Sequence, residues 1–194
     1  MRRSKAETAK TRERIVEAAS AQFLSHGITD AGLARLMRAA GLTHGGFYRH
    51  FASKDQLVAE ACSKALLSLT SGLESEIDGK PPDQALPLLV GKYVSRSHRD
   101  QPAAGCALAA LGSELARADA KTRQAAMEGF LRLSQLIAGQ LKNVPAKKAE
   151  VSMAIAAAMI GAITLARMVP DSRISNSILV GTREHILKSA RRKR

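Results

Sequence analysis

Hydroxyl, imidazole and cationic side chains are concentrated in one short stretch of the chain, from Thr43 to Lys54. Side chains of these types donate hydrogen bonds to phosphate oxygens and to the edges of bases. Gly45 and Gly46 lie among them, and a glycine inside a helix costs about 1 kcal/mol relative to alanine. That cost is understandable where the backbone must approach another surface closely. The stretch therefore predicts a nucleic-acid contact. The candidate contact residues are Thr43, His44, Gly45, Tyr48, Arg49, His50 and Lys54.

The candidate residues divide by the groups that they can reach. Tyr48, His50 and Lys54 suit phosphate contacts, whereas Arg49 or His44 can reach base edges. A purely structural role is the alternative for any single residue. The imidazole of His50 can cap or pack, and the ring of Tyr48 can be half-buried. For the whole set at this spacing, nucleic-acid binding is the favoured interpretation.

Two short helices joined by a glycine turn are expected to carry these side chains. Apolar residues recur at helical spacing before Gly41, which breaks the pattern. Thr43 is expected to cap a third helix that ends at about Arg49. Phe47 and Phe51, four residues apart, are assigned to the core of this small unit. The other apolar core positions are Leu33, Leu36, Met37 and Leu42.

The run from Leu33 to Lys54, preceded by a helix ending at Phe23-Leu24-Ser25-His26-Gly27, resembles the DNA-binding domain of the TetR/AcrR family of bacterial transcriptional repressors. The matching pattern is Gly41-Leu42-Thr43-His44-Gly45-Gly46-Phe47-Tyr48-Arg49-His50-Phe51, then Ser53-Lys54. The resemblance implies that the seven candidate residues face a double-stranded DNA operator. It also implies a helical C-terminal domain that binds a small-molecule inducer and forms a homodimer, usually through the last two helices.

Two departures from the family pattern bear on how DNA is read. The position of His44 often carries lysine or arginine in the family, so a charged contact is missing here at neutral pH. The double glycine leaves few side chains to read bases. We therefore expect specificity to depend partly on DNA shape.

The rest of the chain is also expected to be helical, since alanine and leucine dominate and no segment alternates apolar and polar residues. The predicted fold is all-α with about nine helices. A helix-turn-helix domain is expected over residues 1–54 and an effector-binding and dimerisation domain over 55–194. Six predicted helices cover about 8–25, 43–49, 83–98, 104–117, 147–168 (after Pro145) and 174–190. The other three are defined by a cap: one runs from Thr29 or Asp30 to 40, one from Ser53 to the Gly79-Lys80-Pro81-Pro82 break, and one from Asp119 to 141.

Charge supports a nucleic-acid surface at the N-terminal end. The net charge is +13, and residues 1–54 carry ten Lys/Arg against four Asp/Glu. Residues 1–7 are expected to form a flexible basic arm, and the basic tail Arg191-Arg192-Lys193-Arg194 to be a disordered end. A solvated surface that aids solubility is the alternative for the charge. No secretory signal follows the start, and the apolar run Met153–Val169 is short for a membrane span. A cytoplasmic protein without membrane contact is expected.

Cys106 is the second candidate for chemistry. It follows a proline-marked break, in the step Gly105-Cys106, and is expected in the first turn of a helix. There the helix dipole can lower the pKa of a thiol and expose a thiolate, with reinforcement from Arg99 or His98. The Gly105-Cys106 step also resembles a subgroup of the TetR/AcrR family whose members include sensors of electrophiles and oxidants through a cysteine at this place. Buried packing of Cys106 is the alternative and is slightly favoured. Cys62 is expected to pack.

The last two helices carry the apolar residues that favour a dimer. Ile155, Met159, Ala162, Ile163 and Ala166 are expected on one face of the first helix. The last helix contributes Ile174, Ile178, Ile186 and Leu187. A purely intramolecular core is the alternative. Taken with these observations, the resemblance to the TetR/AcrR family implies a dimeric repressor released from its operator by an inducer or by modification of Cys106.

Two other functions remain alternatives at this stage. One is a basic architectural DNA-binding protein without an inducer, and the other is a thiol enzyme. No phosphate-binding glycine loop and no cluster with metal-ligand spacing occurs in the sequence, so no cofactor and no metal is expected. His98 with Cys106 is a thin basis for nucleophilic catalysis, so an enzyme is not expected.

Overall fold

The computed structural model describes residues 5–141 and 147–191. In these two ranges the fold is all-α and contains no strand, which confirms the predicted class. The α-helices are α1 (Lys5–His26), α2 (Leu33–Ala39), α3 (Lys54–Ile77), α4 (Pro82–Tyr93), α5 (Arg96–Asp100), α6 (Ala107–Leu115), α7 (Ala120–Gly139), α8 (Lys148–Met168) and α9 (Ser172–Arg191). Two 3₁₀ helices add to them, His44–Arg49 after α2 and Pro102–Ala104 after α5.

Helix α1 begins earlier than its apolar pattern indicated. Residues 5–7 are helical, so the flexible arm predicted for residues 1–7 is wrong for these three. The first four residues of that arm, Pro145 and residues 192–194 of the basic tail lie outside the described residues. Gly27 ends the helix as expected, with φ +83° and its N–H donating to the Phe23 carbonyl at 2.8 Å.

Two predicted helix caps are present as side-chain hydrogen bonds. The Ser53 hydroxyl accepts the Gln56 N–H at 3.1 Å at the start of α3. The Asp119 carboxylate accepts the N–H groups of Lys121 and Thr122 at 2.8 and 3.2 Å at the start of α7. Both helices therefore begin where a local side chain satisfies their first N–H groups.

The predicted cap of α2 is wrong. Gly32, not Thr29 or Asp30, occupies the N-cap position, and no side chain caps the helix there. The Thr29 hydroxyl instead donates to the Glu114 carboxylate at 3.1 Å. The hydroxyl that was predicted to cap α2 is therefore bonded to a residue 85 positions further along the chain.

The middle of the chain is more interrupted than its pattern predicted. The helix expected over residues 83–98 ends at Tyr93, and α5 begins separately after Ser95, whose hydroxyl accepts the His98 N–H. The helix expected over 104–117 is shorter, since α6 covers Ala107–Leu115 after a 3₁₀ turn. Boundaries of this kind depend on tertiary packing and are the least predictable part of a helix.

The described chain divides into two compact units. The first comprises the described part of residues 1–66 together with Pro102–Met127, and the second comprises Leu67–Gln101 with the described part of 128–194. Helix α6 therefore belongs to the same compact unit as α1, α2 and the first 3₁₀ helix. The functional boundary predicted after residue 54 stays a prediction. The first unit buries Ile15, Phe23, Leu36, Met37, Phe47 and Leu57, and the second buries Leu89, Tyr93, Leu133, Ile137, Met159 and Ile163.

Arg167 of α8 joins two elements of the second unit through its guanidinium. Its Nη2 donates to the His98 carbonyl at 2.7 Å and its Nε to the Arg99 carbonyl at 3.0 Å. These carbonyls lie in α5, whose last C=O groups have no partner within the helix. The Ser175 hydroxyl of α9 donates to the Ala166 carbonyl at 2.6 Å in a buried contact. A side chain of α8 therefore bonds backbone carbonyl groups of α5, and a side chain of α9 bonds a backbone carbonyl group of α8.

Helix α8 has the length and composition of a membrane span, the one such helix in the described ranges. Within the most apolar 18-residue stretch of this helix, 39% is buried inside the protein. The buried side chains include Ile155, Met159 and Ile163. Core helices of soluble proteins have the same properties, so the helix is weak evidence for a membrane.

Candidate nucleic-acid interface

The turn between α2 and the first 3₁₀ helix is a Schellman motif. Gly41 has φ +71°, and its N–H donates to the Arg38 carbonyl at 2.9 Å. The Leu42 N–H donates to the Met37 carbonyl at 2.8 Å. The glycine break predicted from the sequence therefore forms a sharp turn that brings two short helices together.

The recognition segment is the 3₁₀ helix His44–Arg49, which supplies most of the predicted contact residues. Thr43 occupies its N-cap position with extended backbone, φ −83° and ψ 153°, but makes no side-chain capping bond. The predicted capping role of the Thr43 hydroxyl is therefore wrong. Because that hydroxyl is exposed and not used as a cap, it remains accessible to a ligand.

The aromatic residues separate into a buried pair and an exposed ring. Phe47 is fully buried and stacks on Phe51, with ring centroids 5.5 Å apart. Tyr48, the residue after Phe47, is 68% exposed. The assignment of the two phenylalanines to the core is confirmed. Their burial directs the side of the 3₁₀ helix that bears Tyr48 toward solvent.

The predicted contact residues differ in accessibility. Thr43, Gly45, Tyr48 and Arg49 are exposed. His44 is the first residue of the 3₁₀ helix, and its side chain lies outside what the structure describes. These four exposed residues lie within one short stretch, 43–49, and supply hydroxyl, backbone and guanidinium donors.

His50 and Lys54 are half-buried and take part in the fold itself. The His50 N–H donates to the Phe47 carbonyl at 2.8 Å, and the His50 carbonyl accepts Arg12 Nε at 3.3 Å. Lys54 Nζ donates to the Ile28 carbonyl at 2.7 Å. An ammonium group has three donors, so Lys54 retains others for a phosphate. Contact of these two residues with DNA stays a prediction.

The two glycines of the recognition segment are not required by crowding inside the chain. A Cβ on Gly45 would meet nothing within 4 Å, and one on Gly46 would lie 3.7 Å from the Met37 methyl group, an ordinary contact. Neither glycine has positive φ. Close approach of the backbone to an outside surface therefore remains the proposed reason for them.

Arginines of α1 position the recognition segment, and they are not among the residues predicted from the sequence. Arg14 Nη2 donates to the Ala40 carbonyl at 2.6 Å, at the end of α2. The Arg12 guanidinium lies 4.5 Å from the centre of the Phe51 ring and forms an ion pair with Glu60. In the sequence Arg12 and Arg14 look like ordinary surface arginines of a helix, so no local signal distinguishes them.

Arg38 is a further cation near the recognition segment. It lies in the last turn of α2 and is exposed. In a helix-turn-helix the first helix crosses the DNA backbone, where a cation contacts phosphates. Arg38 is not among the contact residues predicted from the sequence, although its place just before the glycine turn was a usable signal.

Cys106 lies at the start of a helix, as predicted, and the buried packing that was slightly favoured for it is confirmed. It is the N-cap residue of α6, and its side chain is fully buried. The expectation that the helix start exposes this thiol is therefore wrong in this structure. Cys62 is also buried, which raises the pKa of its thiol to about 12, with a smaller contribution from nearby Cys106. The predicted packing of Cys62 is confirmed. A sensing role for Cys106 stays a prediction.

The residues expected to reinforce Cys106 are engaged within the second unit. His98 Nδ1 lies 2.7 Å from the Tyr93 carbonyl oxygen, and burial is the largest cause that lowers the pKa of His98. Arg99 pairs with Asp100 and donates to Ser175 at 2.9 Å. Both His98 and Arg99 therefore have hydrogen-bond or ion-pair partners other than a thiolate of Cys106.

The apolar residues of α8 that were predicted to support a dimer lie in the interior of the second unit. Ile155, Met159, Ala162, Ile163 and Ala166 are all buried within this chain. For these residues the alternative of an intramolecular core is correct. The exposed apolar side chains on α8 and α9 are Met153, Leu165, Met168 and Val180, together with Ile174, which was among the residues predicted to support a dimer.

The geometry defines a helix-turn-helix protein with an all-helical second unit, and comparisons with known proteins agree. Residues 15–61 match the family model described as bacterial regulatory proteins of the tetR family. Residues 82–174 match the model of the C-terminal domain of LmrA/YxaF-like transcriptional regulators. Together the two models cover more than half of the chain, and the protein belongs to the TetR/AcrR family of transcriptional regulators.

Curated relatives are similar over part of their length. The probable acrEF/envCD operon repressor of Escherichia coli K12 is 37% identical over 110 residues, which are 52% of this chain and 48% of the relative. The transcriptional repressor BepR of Brucella suis is 46% identical over 54 residues, 28% of this chain and 26% of BepR. The chain thus matches about half, or less, of the length of these relatives.

Solved structures show the same fold over nearly the whole chain. A TetR-family regulator from Cytophaga hutchinsonii superposes with a TM-score of 0.80 at 18% identity, covering 96% of this chain and 98% of the other. The reduced form of E. coli NemR gives a TM-score of 0.76 at 19% identity, covering 91% and 95%. At these identities the similarity establishes the fold.

Proposed function

We propose that this protein is a homodimeric transcriptional repressor that binds a double-stranded DNA operator and leaves it when an inducer binds. The observation that carries the proposal is the exposed recognition segment. Its donors at Thr43, Gly45, Tyr48 and Arg49 project from a unit whose two phenylalanines are buried. Arg38 and Lys54 are proposed to contact phosphates on either side.

The basic character of this unit suits DNA. Residues 1–54 carry the excess of Lys/Arg over Asp/Glu, which attracts a phosphate backbone and makes binding depend on salt. Few side chains are available to read bases beside Gly45 and Gly46, so part of the specificity is proposed to come from DNA shape. The relatives described as repressors support repression as the sign of regulation.

The second unit is proposed to form the dimer through α8 and α9. Ala154, Leu165 and Met168 recur on α8 at spacings that place them on one exposed stripe, with Gly161 between them. Small residues permit close helix approach, and the exposed apolar side chains of α9 continue the surface. A two-fold dimer presents two recognition segments to two half-sites of an operator.

The inducer is proposed to be a small molecule bound by the helical second unit, and modification of Cys106 is a second proposed route of release. A binding protein without catalysis, located in the cytoplasm, fits membership of a family of DNA-binding regulators. A thiol enzyme would instead show turnover that does not depend on DNA.

One selection experiment tests the proposal. Purified protein selects fragments from a genomic DNA pool, and the dissociation constant for the enriched fragment is compared with that for unrelated DNA at several salt concentrations. We expect one or a few enriched sites with two-fold symmetry. Equal, salt-dependent affinity for all DNA would contradict a repressor and favour an architectural protein.

The recognition residues are tested on the selected fragment. Replacing the exposed guanidinium in Arg49→Ala is expected to weaken binding by about tenfold or more, because each protomer loses a charged contact. Arg123→Ala removes the same charge from an exposed position on α7 and serves as the matched control. Equal affinity of the Arg49 variant and the wild type, measured by fluorescence anisotropy, would exclude Arg49 from the interface.

A further inference from the structure

One carboxylate of α6 holds the connection between α1 and α2. Glu114 Oε1 accepts the backbone N–H groups of Ile28 and Thr29, each at 2.9 Å, and the Thr29 hydroxyl at 3.1 Å. These three bonds link positions separated by about 85 residues in sequence, within the same compact unit. Hydrogen bonds to a charged acceptor are stronger than neutral ones.

The backbone is shaped to present those donors. Gly27 has φ +83°, so the chain turns directly before the two N–H groups that the carboxylate accepts. A Cβ on Gly27 would lie 3.1 Å from Glu114 Oε2, closer than most Cβ contacts. The absence of a side chain at residue 27 therefore leaves room for the carboxylate against the turn.

The same connection is held from its other side by a residue next to the recognition segment. Lys54 Nζ donates to the Ile28 carbonyl at 2.7 Å. The N–H of Ile28 is thus bonded to α6 and its C=O to the first residue of α3. Since α2 follows the connection and α3 follows the 3₁₀ helix, both ends of the helix-turn-helix are tied to Ile28.

We infer that Glu114 is a positioning residue for operator binding. It orients the helix-turn-helix through Ile28 and Thr29 and does not itself contact DNA. The inference rests on the proposed function and adds to it a residue of α6 on which DNA affinity depends. All three bonds reach a single oxygen, so the amide of glutamine can replace the carboxylate as an acceptor.

Charge alone predicts the opposite sign, which makes the inference testable. A carboxylate near the interface repels phosphates, so its removal by itself strengthens DNA binding. Loss of the three hydrogen bonds weakens binding, because the connection is then free to adopt other conformations. The two effects are separated by comparing Glu114→Ala with Glu114→Gln.

The experiment measures operator affinity and amide hydrogen exchange in the full-length protein, with DNA selected by the wild type. Glu114→Ala is expected to weaken binding about tenfold and to speed exchange at Ile28 and Thr29 by a similar factor, the equivalent of one or two lost hydrogen bonds. Glu114→Gln is expected to stay within about twofold of wild type in both measurements. Glu17→Ala, which removes an exposed acid from α1, is the matched control.

The outcomes distinguish this inference from the proposed function. Glu114→Ala binding as tightly as wild type, or more tightly, overturns the inference alone. Glutamine and alanine variants that are equally impaired overturn it as well, since a neutral acceptor able to accept the same hydrogen bonds would then not restore binding. A wild-type protein that selects no DNA overturns the proposed function and this inference with it.

Discussion

Gly41 shows backbone conformation and side-chain packing acting on one residue. Its φ of +71° is strained for any residue with a Cβ, and an added Cβ would lie 3.0 Å from Arg14 Nη2. That same nitrogen donates to the Ala40 carbonyl at 2.6 Å. The glycine therefore permits the turn and also leaves room for the arginine that stabilises it.

The two cysteines provide a prediction at the same scale. If Cys106 is a sensor, its burial requires that the start of α6 opens before a reagent reaches the thiol. We expect p-benzoquinone to lower operator affinity of the wild type and of Cys62→Ser, but not of Cys106→Ser. Cys62 is the matched control, since burial raises the pKa of its thiol to about 12 and keeps it protonated at neutral pH. Equal release of wild type and Cys106→Ser would remove Cys106 from the proposal.

At the scale of elements, the predicted caps form at two helices and fail at two others, including Thr43, whose hydroxyl makes no capping bond. Ser53 and Asp119 cap α3 and α7 as predicted. The hydroxyl of Thr29 does not cap α2, because Gly32 occupies the N-cap position, and it donates to Glu114 instead. The sequence pattern could not indicate this contact, because the two residues come together only after the chain has folded.

The cap at Asp119 leads to a stability prediction. Asp119→Ala is expected to lower the free energy of unfolding by about 1 kcal/mol at pH 7. The Thr122 hydroxyl, which donates at 2.6 Å, is the largest cause that holds the pKa of Asp119 below its usual value. A carboxyl group whose pKa is lowered by folding stabilises the folded state at pH values above its unfolded pKa. That contribution to stability is lost as the pH falls through the folded pKa. Urea denaturation at pH 7 and pH 3 should therefore show the gap between variant and wild type closing in acid, and a constant gap would contradict this.

At the scale of the whole molecule, the arrangement of α8 decides which apolar residues are available for a dimer. Its residues Ile155, Met159 and Ile163 fill the second unit, whereas Leu165 and Met168 are exposed. The helix is apolar on most of its surface, so periodicity in the sequence did not distinguish the face toward the core from the face toward a partner. Only packing against the rest of the chain separates them.

The proposed dimer is tested by a charge on the exposed face. Leu165 is 51% exposed, so Leu165→Glu is expected to change the stability of the monomer little. In the proposed dimer the same substitution would bury a charge. We expect sedimentation velocity to show monomers, and affinity for a two-half-site operator to fall by about a hundredfold. Leu67→Glu, at a similarly exposed residue of α3, is the matched control. A Leu165→Glu protein that remains dimeric would place the interface elsewhere.

The sequence by itself determined the helix-turn-helix, because its signals are local. Gly41 permits a sharp turn, Phe47 and Phe51 are apolar residues four positions apart, and Ser53 caps the next helix. The tertiary structure alone decided the burial of Cys106, the core face of α8, and the bonds from Glu114 and Lys54 to Ile28. These depend on residues far apart in the chain, whose contacts form only when the whole core is packed.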